Sequence, residues 1–263
     1  VWADDLSVDA GLLRLRTDPA YESASLSLTL AAMPLQEVEL SKDDKWLYGA
    51  QLAGEWRVGL ESRARLGVGY YDYQNIVGIA NAPGLSTNDF TAPLFLQKGN
   101  TLFNISSDPT RPLLALASDY QLINLTGQFE MPAFDEKRWT FTADWVENRG
   151  FDAGQVQARV GTPVDARTKG WQVRAQLGTP RLVNPRDWQA FVSYRYLERD
   201  AVLDAFTDPT FRLGGTDAKG YVLGLSYGID RNFWTQVRWF SADSIDGPPL
   251  KADVLQVDLN ARF

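Results

Sequence analysis

The chain has 263 residues, 44% of them hydrophobic, no cysteine and no histidine, with 26 basic against 33 acidic side chains for a net charge of -7. The absent residue types remove disulfides, thiolate metal sites, cysteine nucleophiles, the usual general base and the commonest metal ligand. The acidic balance argues against a nucleic-acid partner, because phosphate binding draws its energy from a basic face that releases counterions. The mean hydropathy is slightly negative and no apolar run approaches the ~18 residues of a membrane-spanning helix.

Read in chain order, the sequence shows one pattern. From residue 6 to 15 apolar and polar residues alternate weakly, broken by Leu12 and Leu13, and Gly11 suggests a bulge that shifts the register. Clearer period-two runs follow at residues 24–30, 46–58, 64–70, 123–129, 139–145, 171–177, 188–195, 221–227, 233–239 and 255–263. In the last run Leu255, Val257, Leu259, Ala261 and Phe263 alternate with Gln256, Asp258, Asn260 and Arg262. Period two is the signature of strands with one face buried in an apolar medium, and the template gives roughly eleven of them.

The connections alternate in length. Short turns sit at residues 17–21, 59–62, 132–137, 180–187 and 229–232; long stretches occupy 33–45, 74–112, 148–167, 200–217 and 242–251. Outer-membrane barrels have this asymmetry, with short periplasmic turns and long extracellular loops. Soluble sandwiches and lipocalin-like barrels also alternate, but soluble strands cluster near 5–6 residues and a membrane strand needs about 9–11. Trp46 and Trp56 share a face ten residues apart, which at ~3.3 Å per residue and a tilt near 40° separates them by about 25 Å along a membrane normal. Gln51, Glu55 and Arg57 fall on the opposite face.

The expected fold is therefore all-β, an antiparallel up-and-down transmembrane barrel whose outward face is apolar and whose lumen is polar, with residues 1–263 forming one barrel domain. The lumen inventory includes Arg57, Arg65, Asp144, Arg174, Arg195, Arg238, Asp258 and Arg262 as pore-lining candidates. Arginines and carboxylates that face each other across a constriction would select solutes by charge and dipole; solvated ion pairs without selectivity are the alternative. The apolar pieces APLFLQ and NTLFNI in the 74–112 stretch point to a loop that folds inward to narrow the pore, or to a plug or partner-binding surface. Asp200, Asp204, Asp208 and Asp217 lie in a loop without EF-hand spacing and read as a solvated acidic loop. Gly214 and Gly215 read as a turn, and GGTDAKG lacks the order of a phosphate loop. No catalytic residue and no cofactor or metal site stands out.

WQAFVSYRYLERDAVLDAFTDPTFRLGGTDAKGYVLGLSYGI at 188–229, WFSADSIDGPPLKADVLQVDLNARF at 239–263 and PLQEVELSKDDKWLYGAQL at 34–52 resemble the putative porin family of Gram-negative bacteria. The resemblance runs along the whole chain and implies an outer-membrane location, a barrel of which this chain is the C-terminal portion, and no enzymatic activity. Phe263, the terminal aromatic of an alternating strand, is the expected signal to the barrel assembly machinery. The expected partners are outer-membrane lipid, that machinery and small hydrophilic solutes, with a homo-oligomer or an envelope partner as a further expectation. The expected function is passive solute diffusion, with a plugged barrel that anchors or joins an envelope assembly as the alternative.

Overall fold

The computed structural model describes Trp2 and residues 9–17, 24–39 and 42–262. Eleven strands form one antiparallel sheet: β1 (Gly11–Arg16), β2 (Ala24–Gln36), β3 (Lys45–Val58), β4 (Ser62–Gln74), β7 (Gln121–Pro132), β8 (Arg138–Asn148), β9 (Lys169–Gly178), β10 (Trp188–Leu197), β11 (Ala218–Gly228), β12 (Phe233–Ser244) and β13 (Ala252–Ala261). Each pairs with its neighbours in chain order, and β4 passes directly to β7 because the intervening hairpin, β5 (Leu102–Asn104) and β6 (Leu114–Leu116), forms a sheet of its own. Among the described residues β1 pairs only with β2 and β13 only with β12, so the sheet is an open meander.

Each of the eleven sequence runs falls, over most of its described residues, on a strand of this sheet, and most strands extend beyond the runs. In the first run β1 starts at Gly11 and pairs with β2 in unbroken register to Arg16, and the expected shift concerns residues before Gly11 that this pairing does not include. The rest of that run, residues 6–8, lies outside the described residues, as does Phe263. A register shift lies between Pro34 and Gln36. Proline has no N–H to give the ladder, and a bulge lets the strand pass it.

The two faces differ as the period requires. On one face Leu28, Leu52, Val68 and Leu125 lie directly across from one another on β2, β3, β4 and β7, and Val192, Leu223, Trp239 and Leu255 do so on β10 to β13. All eight are exposed, from Leu28 at 36% to Leu255 at 67%. Charged residues reach this face only at the long-loop ends of strands, as Asp72, Glu147, Lys169, Lys219, Asp243 and Asp253. Aromatic rings flank the charge-free band: Tyr48, Tyr70, Trp171 and Tyr221 towards the long loops, Trp56, Phe129, Phe141, Tyr227 and Phe233 towards the short turns.

The opposite face carries the long loops. Leu47, Tyr73, Leu122, Val146 and Leu197 project from its long-loop end into a cluster with Ile76, Leu116, Tyr120, Ala201, Val202 and Leu203. Phe211 packs there too, against Ala218, Val222, Phe240 and Ala242. Segments 75–120 and 198–217 therefore lie against the sheet rather than projecting from it. Segment 149–168 contains a helix, α1 (Ala153–Val160), that the strand template does not register. Asp152 caps it, accepting from the Gln155 amide at 3.0 Å, and Gly161 ends it at φ 83°. Its Val156 seals a second cluster with Ala92, Phe103, Ile105, Ala115 and Ala117.

Phe240 is 1% exposed between sheet and inserted loop. Truncation of such a ring leaves a cavity as well as losing contact area, so Phe240→Ala should cost about 3–5 kcal/mol, read from denaturant midpoints. The same change at Phe233, exposed on the apolar face, should cost far less in detergent.

Candidate functional site

The loop-bearing face is the candidate site. Side chains there fall into rows that cross the sheet in register. One row runs Ser25, Glu55, Arg65, Gln128, Thr142, Arg174, Ser193; the next runs Arg57, Arg63, Glu130, Thr140, Gln176, Phe191, Gly224, Arg238, Gln256. Alternation alone puts these polar residues on one surface, because every strand keeps its phase with its neighbours.

All the sequence-derived candidates within the strands share this face. Asp144 accepts from Asn124 Nδ2 at 2.6 Å and from Thr126 Oγ1 at 2.9 Å. Arg174 donates to Gln176 Oε1 at 2.9 Å and lies over the Phe191 ring at 3.7 Å. Arg238 approaches Asp258 at 3.7 Å, and Asp258 also accepts from Gln256 Nε2 at 3.1 Å. Arg262, just past β13, sits 5.5 Å over Trp234. Arg57 and Arg65 are exposed. Arg195 differs: it is 7% exposed, donates to Gln172 at 2.7 Å and lies under the Phe211 ring at 4.8 Å, so the inserted loop covers it.

The same face holds cations that the sequence reading left out: Arg14, Arg16, Lys45, Arg63 and Arg138. Lys45 is taken up by the loop, donating to the carbonyls of Thr91 and Ala92 at 3.3 and 3.1 Å. With Arg57, Arg65, Arg174, Arg195 and Arg238 these five make ten strand cations on that face against four strand carboxylates, Glu55, Glu130, Asp144 and Asp258. The chain as a whole is acidic, so this basic strand surface runs against the net charge and the acidic excess lies in the connections.

Segments 75–120 and 198–217 are tied together by a buried polar lock. Asp200, fully buried, accepts from Thr101 N at 2.8 Å and Tyr120 Oη at 3.0 Å on one oxygen and from Thr101 Oγ1 at 2.6 Å on the other. Asp204 accepts from Gln97 N at 2.9 Å, while its own N–H donates to Asn100 Oδ1 at 2.7 Å. Asn100 Nδ2 donates to the carbonyls of Arg199 and Val202 at 2.7 and 2.9 Å, and Asn148 Nδ2 reaches Asp200 O at 3.1 Å. Gly214 and Gly215, at φ 85° and 88°, let the chain turn where a Cβ would strike Gln97 and Lys98. They serve the turn read from the sequence, and a close approach besides.

The acidic loop is thus not solvated, contrary to the sequence expectation. Asp200, Asp204 and Asp217 are buried, and Asp217 caps the next loop by accepting from the amides of Asp246 and Gly247 at 3.0 and 2.9 Å. Only the number of backbone donors within reach separates a buried carboxylate from a solvated one, and those donors come from residues 29 to 107 positions away. Among the described residues no three carboxylates converge as a metal site.

The family model described as putative porin matches residues 1–263, the whole chain. The chain belongs to the putative porin family. That family suggests an outer-membrane location and a channel rather than an enzyme, in keeping with an all-β antiparallel sheet. No curated protein matches the chain.

Burial raises the Asp200 carboxyl above its ordinary 3.8, with the Thr101 and Tyr120 donors pulling the other way. Burial does the same to Asp204, offset by the Gln97 amide. A raised carboxyl contributes stability below 3.8 that is lost as pH rises through the folded value. Protease resistance of the 198–217 segment should therefore fall as pH rises from acid towards neutral, and Asp200→Asn should flatten that dependence while keeping the lock. Asp200→Ala, which strands the Thr101 and Tyr120 donors, should weaken it by about 1–3 kcal/mol per orphaned group, read by hydrogen exchange.

Proposed function

We propose that the chain forms the wall of an outer-membrane porin of a Gram-negative bacterium, a closed transmembrane barrel through which small hydrophilic solutes diffuse passively. The observation that carries this reading is the pairing of an exposed apolar face, charge-free across its central band, with an opposite face of arginines, glutamines and carboxylates. A soluble protein would bury the first and expose the second; a hydrated lumen within a lipid surround requires the reverse. The long loops would lie outside the cell and the short turns in the periplasm. Catalysis and cofactors are unnecessary, since a hydrated path removes the cost of stripping water from a polar solute in hydrocarbon.

Arg57, Arg65, Asp144, Arg174, Arg238, Asp258 and Arg262 are the proposed lumen lining, and Arg195 fastens the inserted loop while facing the same side. The partners are outer-membrane lipid along the apolar face and the assembly machinery at the strand ending in Phe263, with self-association or an envelope partner as further contacts. The locked pair of segments, 75–120 and 198–217, supports a second reading in which the same barrel is plugged and serves as an anchor.

Single-channel recording across a planar bilayer with the folded full-length protein separates the two: discrete conductance steps support the porin, and silence supports the plug. The apolar face has its own test. Leu223 lies mid-strand opposite Val192 and Trp239; Leu223→Arg should cost about 2–4 kcal/mol in lipid vesicles if that position meets the bilayer interior, and almost nothing if water covers it.

A further inference from the structure

On the loop-bearing face Arg57 of β3 and Arg63 of β4 stand directly opposite each other, and Arg65 follows on the same face of β4. Like charges at directly opposed cross-strand positions repel and destabilise the pairing. Three carboxylates are near: Glu55 and Glu130 are engaged elsewhere, and Glu61, exposed in the β3–β4 turn, forms no ion pair with either arginine among the described residues. Glu130, opposite Arg63 on the other side, is paired with Arg138, whose guanidinium also donates to the Glu61 carbonyl. Glu55, opposite Arg65, lies 3.8 Å from Arg16. Among the described residues neither Arg57 nor Arg63 makes an ion pair or a side-chain hydrogen bond. With Arg138, Glu130, Glu61 and Ser62 they line a cavity of about 340 Å³ beside the β3–β4 turn, where three guanidinium groups stand against two carboxylates.

We propose that this cavity binds small oxyanions, carboxylates or phosphates about the size of inorganic phosphate, and makes the pore prefer anions. The inference rests on the porin reading and names its solute class. A guanidinium presents N–H groups in a planar fork that fits the two oxygens of a carboxylate or phosphate. Two such forks, set opposite each other by the strand register and neither held in an ion pair, leave room for an anion that would relieve their repulsion. The surrounding strands point the same way: on this face their cations outnumber their carboxylates although the chain has fewer basic than acidic residues, so the field at the strand surface opposes the net charge. A cavity of this size admits one such ion with part of its hydration, which suits a transit site better than a tight one, because conduction needs binding weak enough to release.

The test uses the full-length protein in a planar bilayer under a potassium chloride gradient. The wild type should show a reversal potential on the anion-selective side, and added inorganic phosphate should reduce the chloride current saturably. Arg57→Gln/Arg63→Gln should lower the anion-to-cation permeability ratio by about two- to threefold and raise the half-blocking phosphate concentration about tenfold. Arg57→Lys/Arg63→Lys, which keeps the charge and loses the fork, should hold the permeability ratio and weaken only the phosphate block. A cation-selective wild type, or a reversal potential and phosphate block unchanged in the glutamine variant, overturns the proposal. If the double variant does not fold, Arg63→Gln alone should give the same directions. A folded barrel without conductance would sink the porin reading; titration calorimetry with phosphate then decides the site by itself, since saturable binding lost in the glutamine variant supports it and no binding overturns it.

Discussion

Every strand of the sheet has to present two unlike faces at once, and the phase of the backbone ladder makes this feasible. Because the side-chain period is two, a slip of one residue between any pair would carry a row of leucines to the arginine face and a row of arginines to the leucine face. The pairings hold their phase from β1 to β13 with a shift only where Pro34 interrupts the ladder. The basic strand surface, the aromatic borders and the opposed arginines of β3 and β4 are all products of that phase.

The second constraint is local. Asp200 and Asp204 convert two long connections into one packed body by satisfying backbone amides that burial has stripped of water. The apolar clusters beneath supply contact area, but area alone does not fix one arrangement of two loops; the directional bonds of Asn100, Thr101 and Asn148 do. Arg195, sandwiched between Gln172 and Phe211, secures the underside.

What could be read from the sequence follows from this division. The strands and the alternation of short turns with long loops were legible because each is a short-range property: Leu255, Val257 and Leu259 declare their face within five residues. The side of each candidate arginine was legible for the same reason. The fate of the acidic loop was not, since nothing near Asp200 in the chain indicates that Thr101 and Tyr120 will meet it. Arg63 was missed although it lies in register with the rest, because the first clear apolar residue of its strand, Ala64, set the start of the run one position too late. The helix at residues 153–160 did carry signals, Asp152 and Gly161 at its ends, that a search tuned to period two passes over.

The lock between the two loops also bears on the order in which the chain can fold. Its bonds join residues far apart in sequence, 99 positions between Thr101 and Asp200 and 107 between Gln97 and Asp204, whereas each pair of adjacent strands beyond β7 is joined by a connection of at most some twenty residues. Closing a long loop costs entropy that a single hydrogen bond does not recover, so these contacts are late unless the ends are already held near each other. Strands β7 to β10 do that holding, since Tyr120 and Arg199 flank them. A wall laid down strand by strand would therefore acquire its inserted loops only once that stretch is paired, and the buried aspartates become a checkpoint that registers when the middle of the sheet is complete.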